Sequence, residues 1–372
     1  MSMRKLHVAI VAPSLQTLGG QAVQADRLVR AWCSDLDVNA WFVASNPAPP
    51  RWMAPAVRFK WARNAVMLAQ YVPRLPSALA GADLVHVFAA PYARFWLAPL
   101  PAVAASRTFA RPVVLNYRNG EAADHLQRSP IARAVMASAD RIVVPSQYLV
   151  DVLMGFGLHA TAIANVIDLD RFRFRDREPL RPRVLSTRNF HELYNVECTI
   201  RAFRIVQTCR PDASLTLVGG GPLERHLRSL VEKLRLAQVE FLGYVDQHEI
   251  HRVYADHDIY IQSPNVDNMP NSVIEAFASG LPVVSTNAGG VPVLVAHERD
   301  GLLADVHDHR ALAAGVLRLL AQPDFARRLA QAARVKCEAF TWAAVRERWL
   351  KLYDEVVTAP VARTASVPTH VA

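Results

Sequence analysis

Asp267-Asn268-Met269-Pro270-Asn271-Ser272-Val273-Ile274-Glu275-Ala276-Phe277-Ala278-Ser279-Gly280-Leu281-Pro282-Val283-Val284 sets two carboxylates eight positions apart. A Pro-Asn-Ser turn separates them, and Gly-Leu-Pro with a short β-branched run follows. Eight residues are a little over two helical turns, so both acids share a face if the whole segment is helix. Pro270 and Ser272 predict instead that Asp267 lies on the preceding loop and Glu275 inside the first helical turns. The N–H groups at such a helix start point at the space between the acids. A phosphate-bearing sugar suits that arrangement, because amides take phosphates and carboxylates accept from sugar or ribose hydroxyls.

Outward from this stretch, short apolar strands alternate with helical patterns. In the first half the strands are read at Leu6–Ala12, Leu84–Phe88, Val113–Tyr117, Arg141–Pro145 and Ala162–Ile167. Asp168 to Arg183 is rich in Arg, Asp and Pro and reads as a linker. The alternation restarts with strands at Val184–Thr187, Ser214–Val218, Val239–Leu242, Ile259–Gln262 and Val283–Ser285. Such alternation predicts parallel sheets with helices on both faces. The expected organisation is a first domain over 1–170, a linker over 171–183 and a second domain over 184–341. A last helix over 342–357 then crosses back to the first domain, and the small residues and prolines from Thr358 onward read as a loose tail. Two doubly wound units leave a cleft between the carboxyl ends of their strands, where ligands bind.

The chain of 372 residues carries a net charge of +9, mostly from arginine, since its lysines are only Lys5, Lys60, Lys233, Lys336 and Lys351. The excess suits a solvated surface or attraction to anionic lipid or phosphorylated ligands. No aromatic–basic module of a nucleic-acid binder is present. Cys33, Cys198, Cys209 and Cys337 lack paired spacing, which predicts a reducing, cytoplasmic setting and no structural metal. No apolar run reaches the ~18 residues of a spanning helix, and Leu6 to Pro13 is too short for a signal peptide and reads as a strand. The stretch from Arg51-Trp52 to Arg74, with Arg58, Lys60, Trp61, Arg63, Met67, Leu68, Tyr71 and Val72, is basic, aromatic and amphipathic. It fits either a membrane interface or a surface helix packed on the sheet.

Nearly the whole chain resembles the retaining glycosyltransferases of family 4, which have the GT-B fold. In the second half the resemblance runs through Leu217-Val218-Gly219-Gly220-Gly221-Pro222-Leu223, Val239 to Val245, His257 to Ser263, Asp267 to Val284, Asn287-Ala288-Gly289-Gly290-Val291-Pro292 and Asp300-Gly301-Leu302-Leu303. In the first half it rests on Gly19-Gly20, Asp83-Leu84-Val85-His86-Val87, Ala139 to Ser146 and Asn165-Val166-Ile167-Asp168. Number, order and spacing together carry it. It implies an α/β fold of two Rossmann-like domains facing a central cleft. It also implies transfer of a sugar from a nucleotide-diphospho-sugar to an acceptor hydroxyl with retention, without a metal cofactor.

The resemblance implies roles for named residues. Asp267, in place of the family's first Glu, is expected at the donor sugar, and Glu275 at the ribose. Met269, Pro270, Asn271 and Ser272 are expected to bring amides to the diphosphate, with Arg188 beside them. Gly19, Gly20 and Gly220 are expected to let backbone approach the donor. His125 or Arg118 is expected to line the cleft from the first domain, and Arg118, Glu121 and Asp124 are candidate acceptor contacts. The lysine that the family places a few residues after the arginine is absent, and that region reads His191-Glu192-Leu193-Tyr194-Asn195. Val293 stands where the family commonly has Glu. Expected partners are a nucleotide-sugar donor, a saccharide or lipid-linked acceptor, and a peripheral membrane surface on the cytoplasmic side, with no nucleic acid. Two alternatives stay open: a non-catalytic nucleotide-sugar-binding partner protein, and a nucleotide-sugar epimerase of the same fold.

Overall fold

The structure is a computed structural model that describes residues 4–14, 20–49 and 59–359. The first sheet holds β1 (Leu6–Ala12), β2 (Val38–Ala44), β3 (Leu84–Ala89), β4 (Val113–Tyr117), β5 (Arg141–Val144) and β6 (Ala160–Ala162). Between them run α1 (Gly20–Cys33), α2 (Lys60–Tyr71), α3 (Leu75–Leu79), α4 (Ala93–Leu97), α5 (Pro99–Thr108), α6 (Ala122–Arg128), α7 (Pro130–Ala137) and α8 (Gln147–Met154). The second sheet holds β7 (Arg183–Thr187), β8 (Ser214–Val218), β9 (Val239–Gly243), β10 (Ile259–Ile261), β11 (Val283–Thr286) and β12 (Leu302–Ala304). Its helices are α9 (Val196–Cys209), α10 (Glu224–Lys233), α11 (Ile250–Asp256), α12 (Asn271–Ser279), α13 (Val291–Leu294), α14 (His309–Ala321) and α15 (Pro323–Lys336). A final helix, α16, spans Trp342–Thr358.

Every strand pairing is parallel, in the orders β2-β1-β3-β4-β5-β6 and β12-β11-β10-β7-β8-β9. The inner strands β1, β3, β4, β8, β10 and β11 are buried on two faces, which is why they read as continuous apolar runs, while the edge strands β2, β6 and β9 are partly exposed. In the second sheet the chain winds outward from β7 through β9, then returns to the far side of β7 with β10. The order reverses between β7 and β10, so their carboxyl ends flank the crevice where doubly wound sheets hold ligands. Arg188 follows β7, and the loop carrying Asp267 follows β10.

One face of the first sheet packs on α3, α5, α6, α7 and α8 through residues such as Leu79, Val103, Leu126, Met136 and Leu149. The other face receives α1 with Leu28 and Trp32, and α16 with Val345, Trp349, Leu352 and Tyr353. Thus α16, which follows the second domain in sequence, is packed on the first. Arg346 of α16 reinforces this with an ion pair to Asp35 at 2.6 Å, and that arginine's hydrogen bonds, foremost among the causes, hold the Asp35 carboxyl below the usual range.

Two strand readings need correction. The strand read at Ala162–Ile167 is the three-residue β6 at Ala160–Ala162, because the backbone from Asn165 onward turns to the domain interface for its hydrogen bonds. Val38–Ala44, which the alternation passes over, is a full strand paired along its length with β1. The linker is packed where Phe172 and Arg177 are buried. Arg177 donates to the carbonyls of His257 at 2.8 Å and Tyr254 at 3.0 Å, and burial pulls its pKa down to about 9.

His86 is fully buried on β3, and burial, followed by the charge of Arg118, pushes its imidazole pKa down to about 3. The unfolded chain takes up a proton near the ordinary histidine value of about 6.5 that the folded chain refuses. Stability is therefore expected to fall as pH drops from about 6.5 toward 3, by up to ~1.4 kcal/mol per unit. Urea midpoints measured across that range should show a flatter acid limb for His86→Gln than for the unaltered protein.

Among the described residues no helix is long and apolar enough to cross a membrane. Residues 51–58 of the basic–aromatic stretch lie outside the described residues, and the side chain of Lys60 is likewise not described. In the remainder, Tyr71 of α2 is buried and Arg63 exposed, while Phe59 and Trp61 are exposed and stacked at 6.4 Å.

Candidate functional site

The segment that carries both acids folds as loop then helix. Pro270 is extended at φ −66°, ψ 119°, and α12 starts at Asn271. Asp267 therefore sits on the loop and Glu275 in the second turn of a helix whose residues from Ser272 to Ser279 are buried. Gly280, at φ +79°, ends the helix in the left-handed region that glycine occupies without strain. Among the described residues the N–H groups of Met269, Asn271 and Ser272 make no hydrogen bond. These are the orphan donors of a helix start, and they carry the positive end of its dipole.

Arg188 binds both sides of this turn. Its Nη2 donates to Asp267 Oδ2 at 2.6 Å and its Nη1 to Ser272 Oγ at 3.1 Å. Its guanidinium lies over the Tyr194 ring at 4.0 Å, and its Nε is buried without a partner. Burial opposes the charge, but Asp267 and the surrounding tyrosines outweigh it and raise the pKa, so Arg188 stays cationic. The Gly-rich run after β8 makes room for this residue. An added Cβ at Gly219, where φ is +136°, would stand 2.5 Å from the Arg188 carbonyl oxygen, and one at Gly220 would stand 2.7 Å from the Tyr244 ring. Gly219→Ala is expected to cost about 2–3 kcal/mol through backbone strain and the displaced Arg188 strand end, read as a lowered urea midpoint.

Gly289 and Gly290 cradle the Asp267 loop. Added Cβ atoms there would meet Asp267 O at 2.3 Å and Asn268 O at 2.4 Å, and Gly290 N–H donates to Asp267 O at 3.0 Å. Val293 is half exposed beyond them.

Glu275 is held from both domains. Its Oε1 accepts from Arg27 of α1 at 2.6 Å, and its Oε2 accepts from Tyr254 at 3.1 Å. Burial, then the Glu275 charge, pushes the Tyr254 phenol well above its ordinary pKa, so it acts as a donor. Gln24 Nε2 donates to Asn271 Oδ1 at 3.0 Å, and Asn165 Nδ2 donates to the same oxygen at 2.6 Å and to Met269 O at 3.0 Å. Asn271 Nδ2 returns a bond to Gly20 O at 3.3 Å, and Ser146 Oγ bonds Asn268 Oδ1. The first domain thus closes directly on the loop and first turns of α12.

Asp267, Arg188, Met269, Pro270, Asn271, Ser272, Glu275, Gly20 and Gly220 come together here. Gly19 lies outside the described residues. Gly120 brings the loop after β4 into the same place, since its Cβ position lies 3.0 Å from Asp267 C. Arg118 opens that loop, and its Nη2 is buried without a partner. Burial lowers its pKa to about 9. Glu121 is half-buried on the loop.

His125, Asp124 and His191 have surroundings of their own. His125 is 1% exposed, ringed by Tyr92, Phe95 and Tyr117 and bonded to the Tyr117 hydroxyl at 3.0 Å. It is not a solvated loop histidine: its position in α6 sets it among these aromatic rings, its Nε2 has no hydrogen-bond partner among the described residues, and burial lowers its pKa. Asp124 is engaged by Tyr92 at 2.6 Å and by Arg128 at 2.8 Å. His191 is exposed and makes no side-chain bond among the described residues. Tyr194, in the same segment, is the residue that reaches Arg188.

Arg27, Gln24, Tyr194 and Tyr254 are site residues that the motifs did not name. A signal existed for two of them: Gly20, Gln24 and Arg27 stand at i, i+4 and i+7, one face of α1. Tyr194 and Tyr254 carry no comparable pattern. Among the described residues no group of three or more His, Cys, Asp or Glu is placed to hold a metal.

Two family models cover this architecture in sequence. The glycosyl transferases group 1 model matches residues 170–336, and the glycosyltransferase family 4 model matches residues 18–171. The chain belongs to the family 4 glycosyltransferases. The fold is GT-B, and the likeness extends to a sucrose-phosphate synthase from Thermosynechococcus elongatus, at TM-score 0.75 and 21% identity over 94% of this chain and 99% of that one. HepE of Anabaena, solved in complex with UDP-glucose, matches at TM-score 0.73 and 17% identity over 94% and 100%. Among family members of known sequence, the amylovoran biosynthesis glycosyltransferase AmsK of Erwinia amylovora is 32% identical over 41% of this chain and 40% of its own. The D-inositol 3-phosphate glycosyltransferase of Corynebacterium jeikeium is 29% identical over 64% of each. The matches to AmsK and to WcaL of Escherichia coli span only about two-fifths of those proteins, at 40% and 38%.

Proposed function

We propose that this family 4 member moves a sugar from a nucleotide-diphospho-sugar to an acceptor hydroxyl, with retention, in polysaccharide or glycolipid assembly. The observation that carries the reading is the start of α12. Unbonded amides and the buried Arg188 converge there, between two acids, at the crevice where the second sheet reverses its order. A diphosphate fits that charge pattern. Arg188 and the amides would stabilise the negative charge that grows on the departing diphosphate as the C1–O bond breaks. The acceptor oxygen forms the new C1–O bond on the same face, and its proton passes to the leaving phosphate oxygen. Asp267 and Glu275 would accept from sugar and ribose hydroxyls. The spare lone pairs of each carboxylate allow this while their arginines remain bonded. Metal-independence is part of the proposal, and turnover is expected to persist in excess chelator.

UDP-glucose, the ligand of HepE, is the first donor to test, within a panel of UDP-, GDP- and ADP-sugars. A donor at 100 times its Kd stabilises the fold by about 2.7 kcal/mol, a melting shift of several degrees. A panel with no shift at all sinks the reading. Turnover by the purified chain separates it from a non-catalytic partner protein, and label exchange with donor alone would instead favour an epimerase.

A further inference from the structure

A directed chain of hydrogen bonds, buried at its His86 links and part-buried at Arg118, runs from α16 toward the cleft. Arg118 Nη1 donates to Asn116 Oδ1 at 3.1 Å, Asn116 Nδ2 meets His86 Nε2 at 3.0 Å, and His86 Nδ1 meets the Tyr353 hydroxyl at 2.7 Å. His86 and Asn116 are fully buried, on neighbouring strands and on the sheet face that α16 covers. The donor and acceptor roles follow from one end. A guanidinium only donates, so the Asn116 oxygen faces Arg118 and its NH2 faces His86. Nε2 must then accept, the proton sits on Nδ1, and Tyr353 receives it. The arrangement needs a neutral His86, which its burial and the adjacent guanidinium enforce.

Arg118 makes no ion pair with a described residue, while its guanidinium also lies 5.7 Å over the Phe88 ring. A half-buried cation whose enclosed Nη2 has no partner and which has no carboxylate beside it is suited to an oxyanion from outside the fold. Its loop touches the Asp267 backbone two residues later, so the anion within reach is the donor's. We propose that His86, acting through Asn116 and anchored by Tyr353, is a positioning residue that holds Arg118 as a second cation for the nucleotide-sugar donor. This rests on the donor reading above. It gives the C-terminal helix a role at the site that packing alone does not.

The test is a double-mutant cycle read as the Kd of the tightest binder in the donor panel by titration calorimetry. His86→Leu is expected to weaken binding about 10-fold in the unaltered background and under about 2-fold when Arg118→Leu is already present, because coupled residues are not additive. His86→Gln, which keeps an acceptor for Asn116, should recover most of the affinity. Tyr353→Phe, which keeps the ring and its packing, should weaken binding in the same direction as His86→Leu. Equal effects of His86→Leu in both backgrounds would mean a purely structural histidine and overturn the proposal, as would an unchanged Kd. Failure of the unaltered protein to bind any donor overturns the donor reading itself, and that result is seen before any variant is made.

Discussion

Arg188→Ala is expected to lower sugar transfer by about 10²–10³-fold, the cost of removing one preorganised donor to a developing oxyanion. The side chain spans the site, with one nitrogen on Asp267, another on Ser272 and its plane on Tyr194. Its loss also strands the Asp267 carboxylate, 13% exposed, and stability is expected to drop by up to about 3 kcal/mol. Removing that charge as well separates the two effects. Arg188→Ala with Asp267→Asn should regain most of the melting temperature and none of the transfer. Arg188→Lys keeps the charge but loses the planar fork and the stacking, so it should recover only a minor part of the rate. Transfer by Arg188→Ala at nearly the unaltered rate would remove Arg188 from the chemistry.

The Arg27–Glu275 pair leads to the second large effect, and its two halves should behave oppositely. Glu275→Ala removes an acceptor for donor hydroxyls. It also leaves Arg27, 10% exposed, without its counter-ion and the Tyr254 hydroxyl without that acceptor. Donor affinity should fall 10-fold or more, in line with the ~1.5–3 kcal/mol of a hydrogen bond to a charged group. Stability should fall with it. Arg27→Met leaves Glu275 bonded to Tyr254 and frees Oε1 for a donor hydroxyl. Donor affinity should then hold or tighten while the contact between domains weakens. Calorimetric titration of both variants decides the matter: equal loss of affinity in the two would make the pair a hinge contact rather than a donor site shared with an arginine.

The readable and unreadable parts of this protein divide along physical lines. Two parallel sheets were legible because strands buried on both faces must be apolar throughout and must alternate with helices. The loop-then-helix form of Asp267 to Ser279 was legible because Pro270 and Gly280 restrict backbone locally. Two short edge strands were less legible: β12 was passed over and β6 was read with shifted bounds, each with only three residues, whereas β10, equally short but fully buried, was read. Val38–Ala44 was passed over although it is as long as β1. The burial of His125 among aromatic rings was not legible, because its spacing after β4 says nothing about which way α6 turns.

Residue chemistry and backbone preference, read along the chain, determined the fold class, the family and the acids, arginine and glycines at the start of α12. Tertiary structure alone decided that Arg27 crosses from another domain to Glu275, that Tyr194 carries the Arg188 plane, and that Tyr353 reaches Arg118 through His86. Those pairs are separated by up to 267 positions. Their meeting depends on how two sheets and a returning helix dock, and that is set by packing summed over whole domains rather than by any local pattern.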